Sequence, residues 1–233
     1  MGRGCGRRWP RCRMSAEANV AQAAVNIILQ AREARVSILG LRNRCSENIV
    51  TFAQVHALAL RIRQQVDITP ITNCAVHVSV VGRDLTNLQL CVLDQWTDYE
   101  MTPTLIAHFY LCTFEFMKQW PKVLFERPAK ACLLKVRGDG FASDVQRLNT
   151  CYEEVRDKWW SQLKPVRNHL AGHYDSDSAK LIGALADLEL QGFFHLAKDV
   201  NDLLRLTAST LTVITTEMES MFTRIAANGA TAA

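Results

Sequence analysis

Leu203 to Ile225 reads LLRLTASTLTVITTEMESMFTRI. Within it Leu204, Thr207, Leu211, Ile214, Met218, Met221 and Ile225 recur at alternating steps of three and four. That spacing puts them on one face of a helix. The run reaches Gly229, a residue suited to close a helix. A chain assembled from segments of this kind is an all-α helical bundle.

Working outward, the same period recurs. Ser176 can cap a helix through Leu190. Ser143 caps another with Val145, Leu148, Tyr152, Val155 and Trp159 inward. It is expected to end near Leu163, because the residue before Pro165 is pushed out of the helical region. Of Trp159-Trp160, one indole then falls in the core and the other outward, where it hints at a partner surface. Thr102-Pro103 opens a helix with Leu105, Phe109, Cys112 and Phe116 inward. Earlier runs are Leu85, Leu88, Val92, Trp96, Tyr99, and Phe52, Val55, Ala59, Ile62, Val66, the latter with Ser46 as N-cap and Pro70 beyond its end. The first is Val20, Ala24, Ile27, Ala31, Ala34, Ile38, closed by Gly40.

Two stretches are less regular. Pro121 to Ala142, with Pro128 and Gly138-Asp139-Gly140, reads as a long connection or a short hairpin. Val76-His77-Val78-Ser79-Val80 fits either a short strand or a buried helix end. The expectation is six to eight helices with little sheet. No fixed-period repeat points to a solenoid.

Composition agrees with a globular chain: 233 residues, 48% apolar and 21% charged. The formal charge of +4 is uneven. Residues 1–13 hold five arginines and no acid, and without them 22 basic residues face 23 acidic ones. The body therefore carries no global basic footprint. Residues 1–14 are expected to be a disordered basic tail, or a start read too early before Met14, and residues 15–233 a single domain. Gly6 stands where myristoylation needs Ser or Thr. No apolar run reaches eighteen residues, so no membrane span is expected. Eight scattered cysteines without a C-x-x-C pair indicate a reducing cytoplasm and no zinc cluster. The best local basic patch is Arg32, Arg35, Arg42 and Arg44, which RNA phosphates or a plain charged turn would explain.

The chemistry concentrates in PVRNHLAGHYDSD, Pro165 to Asp177. Arg167 offers a planar fork of donors matched to phosphate. His173 has the side chain type best suited to move protons, and Asn168 can position either group or a substrate hydroxyl. Pro165 suits the first turn of a new helix, where free N–H groups attract anions. An arginine and a histidine together suit a phosphodiester attacked by its neighbouring 2′-hydroxyl. On an unbroken helix the two lie about 9 Å apart along the axis and roughly 120° apart around it. One copy would then not easily close on one phosphate. Two copies facing across a dimer axis would, and Gly172 offers a bend that brings His173 round.

Arg167-Asn168, a five-residue gap and His173 resemble the R-x(4–6)-H signature of the HEPN superfamily. Gly172-His173-Tyr174-Asp175 resembles its abortive-infection branch. The resemblance implies an α-helical, usually dimeric protein. It also implies a metal-independent endoribonuclease of toxin–antitoxin or phage-defence type, with no cofactor. Arg167 and His173 would be its catalytic pair and Asn168 the supporting polar residue. His169, Asp175 and Glu154 are candidate supporting groups, and the implied partners are an RNA substrate, an antitoxin protein and a second copy. Many such proteins are catalytically silent, so a binding-only dimer is the alternative.

Two other readings stay open. Arg167 with Asp175 or Asp177 would make an ordinary surface ion pair. His169 and His173, four apart, would make half of a zinc site in a helical-bundle hydrolase, completed by Asp175, Asp177, His56 or His108. Each of the last two is near an apolar face, where a lone histidine is more often a satisfied core residue. Glu153, Glu154 and Asp157 could join a catalytic network or simply form a solvated face.

Overall fold

A computed structural model of the chain describes residues 10–61, 68–95, 101–125, 140–170 and 190–230. They form five helices: α1 (Pro10–Arg61), α2 (Thr69–Gln95), α3 (Met101–Phe125), α4 (Gly140–Leu170) and α5 (Leu190–Ala230). Among the described residues there is no strand, so the fold is all-α. None of these helices is long and apolar enough to cross a membrane. The chain divides into two units, Met1–Ser37 and Ile38–Ala233. In the first, helical backbone runs from Pro10, and Val25, Leu29 and Val36 are exposed.

The second unit holds the core. Successive helices pack on each other from α2 to α5, and α5 returns to α2 and α3. Phe109, Phe193, Leu85, Leu163 and Leu196 lie at its centre, joined from α1 by Leu41, Cys45 and Phe52. A smaller cluster joins Val55 and Ala59 of α1 to Ile68, Ile71 of α2, and Ile214, Met218 and Phe222 of α5. Gly82 of α2 lies against side chains from both α1 and α5. A Cβ there would stand 3.0 Å from Cys45 Sγ and 3.1 Å from Leu204 Cδ2. Cys45 and Cys74 are buried small hydrophobes, and burial pushes their thiols up to about 11 and about 12.

Some polar groups that face inward are paired across helices. Gln89 Nε2 donates to Asn201 Oδ1 at 3.0 Å, and Asn201 Nδ2 returns a bond to Gln89 Oε1 at 2.8 Å. This amide pair fixes the register of α2 against α5, since a slip would strand both groups without water. Asn48 Nδ2 donates to Ala208 O at 3.4 Å, and Thr212 Oγ1 donates to Asn48 Oδ1 at 3.2 Å. Asp199 of α5 accepts from Lys158 Nζ and from the Trp159 indole of α4, both at 2.7 Å.

The helices run on where turn chemistry predicted breaks. Gly40 does not close a helix, and Ser46 is not an N-cap. Both lie inside α1, where Ser46 Oγ bonds back to Arg42 O at 3.1 Å. The β-branched run at 76–80 is helical, with Val78 and Ser79 buried. Long flanking helical turns and burial override its local β preference. Pro121 is inside α3 rather than at the start of a connection. Helix α4 does not end at Leu163; it carries Pro165 in its interior and continues to Leu170. The six-to-eight expectation also drew on residues outside those described, including the Ser176 cap. The expected hairpin likewise falls mostly outside them, apart from the helical Pro121 and Gly140 ends.

Candidate functional site

On α4, Arg167 follows Trp160 by seven residues. Two helical turns put both on nearly the same face, about 10.5 Å apart along the axis. Phe114 of α3 fills that interval. Its ring stacks on Trp160 with centroids 4.7 Å apart and planes at 22°, and Arg167 Cζ lies 5.9 Å from its centroid. Trp160 is therefore not an outward indole: it is half-buried, with Phe114 covering it. The Arg167 guanidinium is held by an aromatic face, an attraction of about 0.5–1 kcal/mol at a partly exposed position.

The nearest anion to Arg167 is Glu115. Its Oε1 lies 3.6 Å from Arg167 Nε, and the two side chains are 35% and 39% exposed. That separation exceeds a hydrogen bond, and ion pairs this open contribute about 0–1 kcal/mol. Arg167 Nε is itself buried without a hydrogen-bond partner. The cation is positioned but not saturated.

The other predicted residues divide cleanly. Asn168 follows Arg167 on α4 and is exposed. His169 lies in α4, but its side chain falls outside the described ones, as do His173, Asp175 and Asp177 altogether. Glu154 is exposed and sits thirteen residues before Arg167 on the same helix. That is roughly 20 Å along the axis, so within one chain it is not brought to Arg167. Its neighbour Glu153 accepts from Asn149 Nδ2 at 3.3 Å, and Asp157 pairs with Arg156 at 2.9 Å. The acidic trio is a solvated face tied to its own helix.

Of the histidines weighed as metal ligands, His108 is exposed. His56 is half-buried, and its Nδ1 lacks the hydrogen bond expected of a satisfied core histidine. Among the described residues no group of three or more His, Cys, Asp and Glu is placed to hold a metal ion. Within the basic patch, Arg42 donates to Asn43 at 3.4 Å and Arg44 reaches Ser209 of α5 at 3.5 Å.

Spacing within one segment located Arg167 but not its neighbours. Phe114 and Glu115 come from α3, which no spacing within α4 reveals. The chain matches no protein-family model, no curated protein and no solved structure.

Proposed function

We propose that this all-α protein acts on RNA, as a metal-independent endoribonuclease of the HEPN kind in a toxin–antitoxin or phage-defence setting. Arg167 holds the scissile phosphate. The ribose 2′-hydroxyl attacks phosphorus, the bond to the 5′-oxygen breaks, and the products are a 2′,3′-cyclic phosphate and a 5′-hydroxyl. His173 moves the proton between the attacking and leaving oxygens, and Asn168 orients one of these groups. The arginine of one protomer works with the histidine of a second copy.

The observation that carries this reading is the state of Arg167. It is steadied by Phe114, stands 3.6 Å from Glu115, and keeps its side chain 35% exposed. Such a group is preorganised for a phosphate oxygen, at which a charge-assisted bond is shorter and stronger.

A second reading, RNA binding without cleavage, is favoured by Glu115. A carboxylate near the cation competes with a phosphate and would weaken transition-state stabilisation. Expression in a bacterial host separates the two. Wild type is expected to arrest growth and degrade RNA, whereas Arg167→Ala and His173→Ala grow normally. Equal toxicity from all three, at equal expression, rules out the catalytic assignment.

A further inference from the structure

An open groove of about 690 Å³ lies along α3 and α4, beside the Trp160–Phe114 stack. Lys118, Tyr152, Arg156, Asp157, Trp160 and Ser161 line it. We infer that this groove is the binding site for one nucleotide of a single-stranded RNA, its base on Trp160 and its phosphate at Lys118 and Arg156. The inference rests on the RNA-directed reading above and supplies the track that leads the strand to Arg167.

Three observations support that ligand class. First, the volume falls within the range of small-ligand sites, roughly 300–1,000 Å³. Second, the wall is a half-buried indole braced from below by Phe114. A tryptophan held in place gives a base a flat π surface with little ordering cost, and stacking of this sort tolerates any sequence. Third, two cations flank that surface with one anion, leaving positive charge in excess. Lys118 is exposed on α3. Arg156 lies with its Cζ 5.7 Å over the Tyr152 ring, and its Nε and Nη2 donate to the exposed Asp157 Oδ1 at 3.1 and 2.9 Å. A guanidinium and a lysine beside an indole suit a nucleotide rather than an apolar partner.

The position also fits a continuous strand. Trp160 and Arg167 share a face of α4 about 10.5 Å apart, so a nucleotide stacked on the first leaves its neighbour's phosphate near the second. Pro165 contributes as well. It gives no N–H to the carbonyl of Ser161, leaving at the groove an acceptor without its helical donor.

The test uses the full-length protein and a fluorescein-labelled single-stranded oligoribonucleotide with 2′-O-methyl riboses, which can bind but not react. Binding is followed by fluorescence anisotropy across a salt series, with the fold monitored by circular dichroism. Trp160→Leu is expected to weaken binding about tenfold. Lys118→Gln, at an exposed position, should lower the slope of log affinity against log salt by about 0.7. Wild-type affinity and salt slope in Lys118→Gln, together with wild-type affinity in folded Trp160→Leu, overturn the groove even if unmodified RNA is cleaved. Absence of binding by the wild type overturns it too. Weakened binding by the variants with no cleavage of unmodified RNA by wild type leaves the groove standing and removes the endoribonuclease reading instead.

Discussion

Pro121 has no N–H to offer the carbonyl of Met117, the acceptor one turn before it. Tyr152 of α4 fills the gap, its hydroxyl donating to Met117 O at 3.0 Å. Burial pushes the Tyr152 phenol above its usual range, so it stays protonated and able to donate throughout neutral pH. The tertiary bond explains how α3 runs through a proline. Tyr152→Phe keeps the ring against Trp120 but strands a buried carbonyl. A loss of about 1–2 kcal/mol is expected, seen as a fall in thermal midpoint of about 2–8 °C. An unchanged midpoint would show that Met117 O finds another donor. Pro165 needs no such partner, because Ser161 is exposed and water can serve its carbonyl. Sequence reading saw both prolines and none of this. Proline chemistry is local, whereas the donor that rescues Pro121 lies 35 residues from Met117.

At the scale of elements, α4 and α5 are joined through Asp199. Burial alone would raise its carboxyl, but bonds from Lys158 and the Trp159 indole outweigh that and hold it below the usual range. A carboxylate lowered in the folded state stabilises the protein above its unfolded value near 3.8. That contribution disappears as pH falls through the folded value. Asp199→Asn should therefore unfold more easily than wild type at pH 7, by about 1–2 kcal/mol for the weakened bonds, while at acid pH, below the lowered folded value, the two curves converge. Urea denaturation at both pH values measures it. An equal gap at pH 7 and at acid pH would mean the carboxylate charge does not join these helices. The helices themselves were legible wherever apolar spacing was clear, as for Tyr152, Val155 and Trp159 on α4. Their ends were not, because Gly40, Ser46 and Pro165 signal breaks that packing overrides. The α4–α5 tie left no mark in the spacing, since Lys158 and Asp199 lie 41 residues apart.

For the whole molecule, the all-α class followed from a single period repeated along the chain, most regularly at Leu204 to Met218. The site followed only in part. Arg167 was visible as a cation in a polar stretch. The features that qualify it, Phe114 beneath, Glu115 beside and Trp160 two turns back, come from packing that a linear pattern does not encode. His173, its partner by the HEPN resemblance, lies outside the described residues. The central claim is that a fixed, unsaturated arginine serves a phosphodiester in RNA. Purified protein incubated with a single-stranded oligoribonucleotide and excess chelator, with products resolved by mass, tests it most directly. The account predicts fragments ending in 2′,3′-cyclic phosphate, none from the 2′-deoxy analogue, and none with Arg167→Ala. Intact RNA with the wild type, or equal cleavage by Arg167→Ala, would contradict it.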